Sequence, residues 1–424
     1  MPRRPPAFPH VRRAADRILA ATTPAAVGVS ATRLRRLEAV MARLVAQGEF
    51  AGIALLAARR GRVFHARTYG VQRLGRAVPL RPDAIFRIHS MTKPVTGVAL
   101  MMLYEEGRWR PDEPVAAHIP EFRALRVCAG VDRRGRMRLE APRHPPTMRE
   151  LMNHTAGFSY GTGDGVVDRQ YRDRAGRHLV LEAPSPGEMI RRLARIPLLY
   201  QPGTQWVYSV GVDVQGYLVG KLSGLTLPEF CRRRIFAPLG MADTAFFVPP
   251  EKRGRFVEFY RKNTANILEP TTEMMAGLQH YDRPPAMPSG GGGLVSTAPD
   301  YLRFCQMLLN GGELDGERLL SPTTVKLLTA NHLTGAALVS AVTGGILQPG
   351  YGFGFDFAVV MDPEIAATPM GKGTYYWSGL GGTWFWVDPV HELICIGMVQ
   401  RTDSPDRPSL SGLAGQMLYQ ALVE

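Results

Sequence analysis

The sequence predicts an α+β fold in which one antiparallel sheet is flanked by helices and an all-helical domain is inserted. Strand patterns rich in β-branched, aromatic and aliphatic residues occur near the N-terminus, at 51–71, and again at 351–360, 373–389 and 393–401. The stretch between these groups, 109–285, shows mostly helical pieces separated by Gly/Pro loops. Because strands occur towards both ends of the chain, the simplest topology pairs them in one sheet with helices packed on it.

This pattern divides the 424 residues into an arm and two domains. We expect residues 28–108 and 286–424 to form an α/β domain and residues 109–285 to form a mainly helical domain. Residues 1–27 are basic and proline-rich, which is typical of a mobile or loosely docked terminus. A cleft between two domains is a common position for a ligand site, so we expect the functional residues there.

Residue periodicity predicts the first helices and the first hairpin. Apolar residues recur on one face of 31–47, which indicates an amphipathic helix. The Arg-Gly pair at 60–61 is the expected turn of a hairpin within 51–71. The segment 94–107 is the most apolar helix candidate, and its closing glycine is expected to end it.

Capping and glycine signals mark the later elements. Thr147 and Glu150 have capping-box spacing, which predicts a short helix at this point. The SGGGG run at 289–293 indicates either a flexible joint or a close approach of the backbone to a neighbour. Two further helices are expected at 298–312 and 411–424.

Composition argues against several functional classes. No apolar run reaches the roughly 18–20 residues that span a bilayer, and no secretory-signal core is present, so we expect a cytoplasmic protein. The four cysteines are far apart and form no Cys/His cluster, so neither a metal site nor a disulfide framework is indicated. The net charge of +14 is scattered along the chain rather than gathered on one helix face, which argues against a nucleic-acid partner.

Two serines compete for the role of nucleophile. Ser159 lies in GFSYG, which fits the G-x-S-x-G pattern of many lipases and esterases. That pattern requires a sharp turn between a buried strand and a helix. Ser159 instead follows a polar helical piece and precedes the glycine-rich GTGDGVVD, so we expect it not to be the nucleophile.

Ser90, in HSMTKPV, has surroundings that suit a nucleophile better. It precedes the apolar helix, and Lys93 lies three residues further on, so both side chains share one face of the first turn. A serine hydroxyl needs a base to take its proton, and burial can lower the pKa of a lysine enough for it to serve. The helix N-terminus adds backbone N–H groups where an oxyanion would form. The alternative is an N-capping serine beside a solvated lysine.

A tyrosine and a small-residue motif extend this hypothesis. Tyr208 follows a turn and precedes a helix, and a tyrosine beside a cation can act as a general base or acid. The alternative is a packed tyrosine whose hydroxyl is hydrogen-bonded. WSGLGG, at 377–382, places small residues in a strand pattern, which indicates close approach of a ligand, a bulge or a hairpin.

These segments, taken in order, resemble the serine β-lactamase and penicillin-binding superfamily. The resemblance covers roughly residues 30–422 and is carried by FRIHSMTKPVTGVALMMLYEEG, DEPVAAHIPEF, MRELMNHTAGF, PGTQWVYS, IFAPLGMADT, GGGGLVSTAPDYLRF and WSGLGGTWFWVDP. Within the superfamily, the chain is most similar to the class C-like branch that includes the family VIII carboxylesterases, and lovastatin-type acyltransferases are similar too. The resemblance implies a β-lactamase-like fold with the site between its two parts.

The resemblance also implies a role for each matching residue. Ser90 matches the family nucleophile, Lys93 its base partner and Tyr208 the tyrosine of the Y-x-N motif. The backbone N–H groups of Ser90 and Leu380 match the oxyanion hole. The residues expected to line the substrate site are Tyr160, Trp377, Ser378 and Gly379. The implied reaction needs no metal and no organic cofactor.

Two departures from the family pattern bear on the substrate. The third residue of Y-x-N is Val210, so the amide that would contact a β-lactam side chain is missing. The K-T-G strand motif is Trp377-Ser378-Gly379, so a fixed positive charge for a substrate carboxylate is missing there; Lys372 precedes the strand in the wrong order. Trp377 offers an apolar wall instead, and W-x-G is the form that the esterase branch shows. Both departures argue against efficient penicillin hydrolysis.

We therefore predict a carboxylesterase, a serine hydrolase that cleaves small-molecule esters with short acyl chains through an acyl-enzyme on Ser90. Three alternatives stay open: an acyltransferase that passes the acyl group to an alcohol, a weak β-lactamase or peptidase, and a catalytically silent binding protein. The expected partner is a small ester rather than a nucleic acid or a membrane. Nothing in the sequence indicates an oligomeric state.

Overall fold

The structure is a computed structural model that describes residues 19–76, 78–272, 280–402 and 409–424. Residues 1–18 of the predicted arm therefore lie outside the described residues. Its remainder is docked on the first hairpin: the Leu19 N–H donates to the Gly61 carbonyl (2.7 Å), and the Thr22 N–H donates to the Val63 carbonyl (2.8 Å).

Strands from both ends of the chain form one antiparallel sheet, which confirms the predicted α+β class. Its strands within the described residues are β1 (Gly52–Arg59), β2 (Arg62–Arg73), β3 (Val78–Pro79), β4 (Tyr351–Phe353), β5 (Ala358–Val360), β6 (Tyr375–Ser378), β7 (Trp384–Asp388) and β8 (Leu393–Met398). Their spatial order is β4-β5-β6-β7-β8-β1-β2-β3. Leu55 of β1 lies opposite Arg67 of β2 on one side and Gly397 of β8 on the other, so the two chain ends meet at β1 and β8.

Helices cover the sheet and fill the middle of the chain. They are α1 (Ala31–Ala46), α2 (Thr92–Glu105), α3 (Val115–His118), α4 (Met148–Met152), α5 (Pro186–Leu193), α6 (Gly211–Ser223), α7 (Leu227–Cys231), α8 (Ala298–Leu309), α9 (Pro322–Thr329), α10 (Gly335–Thr343) and α11 (Leu410–Tyr419). The predicted capping box forms at α4, where Thr147 and Glu150 exchange both hydrogen bonds. In the part of the chain that the structure describes, no helix has the length and apolarity to cross a membrane.

The two faces of the sheet belong to different cores. On one face, Leu37 and Met41 of α1 and Leu418 of α11 pack with Ile53 of β1. On the other face, Leu56 of β1 joins a larger cluster that contains α2 and α8. Side chains alternate along a strand, so β1 contributes to both cores and joins the layers.

Helix α2 is enclosed by the larger core. Every residue from Thr92 to Leu103 is buried, because apolar side chains occupy all sides of the helix rather than one stripe. It contacts α6, α7 and α9 as well as the turn before it. Packing on all sides holds the N-terminal end of α2 in place, and this end carries the predicted nucleophile.

The segment 109–285 contains α3 to α7, and it also contains two short ladders. Val127–Val131 pairs with Met137–Glu140, and Tyr260–Lys262 pairs with Leu268–Pro270. Each ladder joins strands that are close in sequence, so this segment carries two local hairpins besides its helices and is not the all-helical insertion that the sequence predicted. The division of the chain at residues 108/109 and 285/286 stays a prediction.

The small residues of WSGLGG form a hairpin turn, and the SGGGG run is a close approach between two segments. The pattern at 373–389 divides into β6 and β7, so the small residues of WSGLGG form the turn between two strands instead of interrupting one. The pattern at 351–360 likewise divides into β4 and β5. The SGGGG run is a close approach, because a Cβ on Gly290 would lie 2.5 Å from the Val212 carbonyl oxygen of α6.

Candidate active site

A cavity of about 960 Å³ opens beside the N-terminal end of α2. Its wall combines the turn before α2, the loops before α5 and α6, the SGGGG run and the end of β6. The predicted site residues that line it are Ser90, Tyr160, Tyr208, Trp377, Ser378, Gly379 and Leu380. Its volume is within the range of small-molecule sites in proteins.

Ser90 lies in a 3-10 turn, His89–Met91, that leads directly into α2. Ser90 therefore precedes the apolar helix, as the sequence predicted, and the backbone at Ser90 is a 3-10 turn rather than a turn of α-helix. His89 adopts a left-handed φ of 43°, a conformation that residues other than glycine rarely adopt without tertiary support. Part of this support is the Tyr301 hydroxyl, which donates to the Met91 carbonyl (2.8 Å).

Lys93 is buried behind the cavity wall and contacts both predicted partners. Its Nζ donates to Ser90 Oγ (3.2 Å) and to the carbonyl oxygen of Gly291 (2.6 Å). The same Nζ lies 4.5 Å from the ring centroid of Tyr208. Ser90 and Tyr208 form no direct hydrogen bond within the described residues, so the lysine is the group that joins the three side chains.

Asp213, in the first turn of α6, holds the loop that receives the lysine. Its Oδ1 accepts hydrogen bonds from the Ser289 hydroxyl (2.5 Å) and from the N–H of Gly291 (3.1 Å), whose carbonyl accepts from Lys93. Burial raises the pKa of Asp213 above its ordinary value, and the Ser289 hydrogen bond and the Lys93 charge oppose this rise. Sequence reasoning missed Asp213, although an acidic residue in the apolar segment VYSVGVDVQG was an available signal.

Aromatic rings hold Tyr208 in place. The rings of His154, Tyr160, Trp206 and Trp377 surround it at centroid distances of 5.0, 5.2, 6.2 and 5.4 Å. The Trp377 indole N–H donates to the Tyr208 hydroxyl oxygen (3.1 Å). Burial, together with the Lys93 charge, lowers the pKa of His154 well below its ordinary value, so this imidazole is neutral beside the lysine.

The two backbone N–H groups predicted to form an oxyanion hole lie at the cavity wall. The Ser90 N–H lies in the turn before α2, where backbone donors have no partner in the preceding turn. The Leu380 N–H follows β6 and donates no hydrogen bond within the described residues. Strand β5 pairs only with Tyr375 and Tyr376 of β6, so the end of β6 extends past its neighbour towards the cavity.

Gly379 lets the β6–β7 turn touch the segment that precedes Ser90. A Cβ at this position would lie 2.4 Å from both the Ile88 carbonyl oxygen and Thr383 Oγ1. The Thr383 hydroxyl also donates to the Ile88 carbonyl (3.3 Å). A larger residue would push the two segments apart, so glycine at this position keeps the β6–β7 turn against the segment that precedes Ser90.

Ser159, the rival nucleophile, also lines the cavity, but its hydroxyl is engaged by other groups. Its Oγ donates to the Asp168 carboxylate and accepts from the Gly161 N–H (3.0 Å). Ser159 lies in a loop, and neither a strand before it nor a helix directly after it provides the strand–turn–helix setting of a G-x-S-x-G nucleophile.

Two residues that bear on the family motifs supply no polar group to the cavity. Val210 is buried at the start of α6, and Lys372 is exposed and does not line the cavity, so neither supplies a polar group there. Among the residues that the structure describes, no group of three or more His, Cys, Asp or Glu side chains is placed to hold a metal ion.

The family model described as beta-lactamase matches residues 37–416. The chain belongs to the beta-lactamase family. The matched range includes Ser90, Lys93, Tyr208 and Trp377. Membership confirms the resemblance inferred from the sequence.

Relatives in the beta-lactamase family cover nearly the whole chain. Protein Rv1367c of Mycobacterium tuberculosis is 32% identical over 87% of this chain and 90% of its own length. Esterase EstB of Burkholderia gladioli is 30% identical over 86% of this chain and 90% of its own length. The solved structure of EstCE1, a hydrolase with promiscuous acyltransferase activity, superimposes with a TM-score of 0.75 at 26% identity, over 93% of this chain and 99% of that one.

Proposed function

We propose that this protein is a carboxylesterase in which Ser90 forms an acyl-enzyme with a small-molecule ester. The observation that carries the proposal is the contact between Lys93 Nζ and Ser90 Oγ (3.2 Å) at the wall of a cavity. A serine hydroxyl is a weak nucleophile until a neighbouring base takes its proton. The similarity to EstB, an esterase, and to EstCE1, a hydrolase, supports the same reaction class.

The reaction begins when Ser90 Oγ attacks the carbonyl carbon of the ester. The serine proton passes to whichever of Lys93 and Tyr208 is deprotonated, as a neutral amine or as a phenolate. We assign the two as one coupled base because Lys93 Nζ lies 4.5 Å from the centre of the phenol ring. The N–H groups of Ser90 and Leu380 stabilise the oxyanion. The alcohol leaves with the proton, and water then attacks the acyl-enzyme, with Tyr208 carrying the proton of this second step.

The residues around the base favour an ester over a β-lactam. Val210 is buried and presents no amide to the cavity, and Trp377 takes the position where a family lysine would hold a carboxylate. A charged hydrogen bond of that kind contributes about 1.5–3 kcal/mol, so its loss at this position weakens penicillin binding. We therefore propose hydrolysis of short acyl esters well above hydrolysis of benzylpenicillin.

Transfer of the acyl group to an alcohol is the second candidate function. The cavity, at about 960 Å³, has room for an acceptor alcohol beside a short acyl group. EstCE1, which is similar over nearly the whole chain, has promiscuous acyltransferase activity. Adding acceptor alcohols to the ester assay and measuring the new ester separates transfer from hydrolysis.

The test of the proposed function compares two serine variants. We expect Ser90→Ala to abolish turnover of p-nitrophenyl butyrate and Ser159→Ala to retain most of it. Intact-mass analysis with a phosphonate probe should place one adduct on the peptide that contains Ser90. Loss of activity in Ser159→Ala with retention in Ser90→Ala would reverse the assignment, and nitrocefin turnover comparable with ester turnover would contradict the preference for esters.

A further inference from the structure

An arginine that the sequence did not single out lines the same cavity as Ser90. Arg172 lies in the loop between α4 and α5, and its Nη2 donates to the Gly163 carbonyl (2.7 Å). It makes no ion pair with an Asp or Glu side chain of the described residues. Nearby Arg177, in contrast, pairs with Asp173 at 2.7 Å. Arg172 therefore lines the cavity without an ion pair to a described carboxylate.

Among the described residues that line the cavity, no carboxylate opposes the charge of Arg172; the Asp168 carboxylate lies behind the wall and accepts from the Ser159 hydroxyl. Arg172 is the one Arg, Lys, Asp or Glu side chain among the described residues that line the cavity. Burial lowers the pKa of His89 to about 3 and also lowers that of His178, so both imidazoles in the wall are neutral. His178 uses both ring nitrogens inside the protein, one with the Tyr160 carbonyl and one with the Leu181 N–H, each at 3.0 Å.

The loop is anchored on both sides of Arg172. Tyr171 is buried, and its hydroxyl accepts a hydrogen bond from the Ser159 N–H (3.1 Å). The backbone of Arg172 also forms an antiparallel bridge with that of the buried His178. These two contacts hold the backbone at Arg172, so its side chain starts from a supported segment of the cavity wall.

We propose that Arg172 binds an anionic group of the ester substrate, so that the natural substrate is an ester that carries a carboxylate. The proposal rests on the proposed esterase function and names its substrate class. A guanidinium offers a planar pair of donors that matches a carboxylate. This charge comes from the loop before α5, whereas the corresponding family charge would come from β6, where Trp377 stands. The carboxylate therefore takes a different position relative to the scissile bond.

The test compares two esters that differ in one charge. The esters are 4-nitrophenyl hexanoate and the 4-nitrophenyl monoester of adipic acid, which have the same chain length and leaving group. We expect the ratio of kcat/KM for the anionic ester to kcat/KM for the neutral one to fall about tenfold to a hundredfold in Arg172→Met. Arg172→Lys should lose less, because the charge stays but the paired donors do not. Arg172→Glu should lower the ratio most.

Controls and ionic strength make the result specific. The control variant is Arg174→Met, because Arg174 is exposed and does not line the cavity. It should leave the ratio at the wild-type value. Added salt should lower the wild-type ratio and leave that of Arg172→Met unchanged. The ratio does not depend on how much enzyme is folded, so a partly unfolded variant still gives a valid result. If the ratio in Arg172→Met equals that of the wild type, the inference about Arg172 is wrong and the proposed esterase function still stands. If the wild-type enzyme cleaves neither ester, the proposed function itself is wrong.

Discussion

The indole N–H of Trp377 donates a hydrogen bond to the hydroxyl oxygen of Tyr208 across 3.1 Å. This bond joins the end of β6 to the loop before α6, two segments separated by 169 residues. The hydroxyl oxygen accepts from the indole, and its ring is enclosed by aromatic neighbours. Trp377 therefore orients the phenol that we propose as a proton carrier, in addition to forming an apolar wall.

Removing this donor should slow the reaction. We expect Trp377→Phe to lower kcat/KM for p-nitrophenyl butyrate about tenfold, because the phenol loses a hydrogen bond that orients it while the wall stays aromatic. The matched control is Trp384→Phe on β7, where the buried indole nitrogen has no hydrogen-bond partner in the described structure. Equal losses of activity in the two variants would show that packing, rather than the indole N–H, is responsible.

Asp213 offers a test of lysine positioning. Asp213→Ala removes the acceptor that holds the Gly291 N–H, so the Gly291 carbonyl that binds Lys93 can move. We therefore expect kcat to fall at least tenfold, with a smaller change in KM. Asp213→Asn keeps an oxygen acceptor in the same place and should recover most of kcat. A matching loss in both variants would contradict a role through the Gly291 hydrogen bond and would point to the charge of the carboxylate.

A substitution at Gly379 tests the spacing between the two N–H groups that we propose as oxyanion donors. Gly379→Ala would place a Cβ 2.4 Å from the Ile88 carbonyl oxygen, so the β6–β7 turn must shift. We expect the free energy of unfolding to fall by about 1–3 kcal/mol and ester turnover to fall with it. Gly75→Ala is the control, because nothing lies within 4 Å of a Cβ there, and it should change stability by less than about 0.5 kcal/mol. Full activity in Gly379→Ala would show that the turn tolerates displacement.

Because His65 is buried, we expect the free energy of unfolding to fall in mild acid. Burial lowers its pKa to about 4, with the Arg67 charge adding to the shift, even though a Glu38 oxygen lies 3.8 Å from Nδ1. Below about pH 6.5 the unfolded chain binds a proton that the folded imidazole does not, so the free energy of unfolding falls as the pH falls towards 4. The contribution of this one residue is about 3 kcal/mol between pH 7 and pH 4.

Denaturant titrations of the wild type and His65→Phe at several pH values measure this contribution. The variant has no group to protonate at this position, so its free energy of unfolding should fall less steeply between pH 7 and pH 4 than that of the wild type. Raised pKa values of buried carboxyls such as Asp356 act in the opposite direction in both proteins, so they cancel in the comparison. Parallel pH dependences would contradict a neutral buried His65.

Local sequence predicted the elements whose causes are local. The all-round apolar segment became the enclosed helix α2, and the capping-box spacing of Thr147 and Glu150 produced both expected hydrogen bonds at α4. The three-residue spacing of Ser90 and Lys93 brought their side chains to 3.2 Å, because a single helical turn fixes that distance. The helix begins at Thr92, before the predicted start at residue 94, and Ser90 lies in the 3-10 turn that leads into it.

Three relationships depended on contacts between distant segments. Asp213 reaches Gly291, and Trp377 reaches Tyr208, over separations that no local pattern encodes. Arg172 belongs to an arginine-rich stretch, and no sequence feature distinguishes it from the neighbouring arginines. The path of the loop places it at the cavity.

The sequence by itself determined the antiparallel sheet from both chain ends, the buried helix and the serine–lysine pair at its start. These features depend on side-chain periodicity and on distances within one helical turn, which the order of residues specifies directly. Tertiary structure alone decided three relationships. Asp213 holds the loop whose carbonyl binds Lys93, Trp377 donates to Tyr208, and Arg172 rather than another arginine lines the cavity. These relationships depend on how loops close over the packed helices and sheet, and loop paths are set by the sum of many weak contacts.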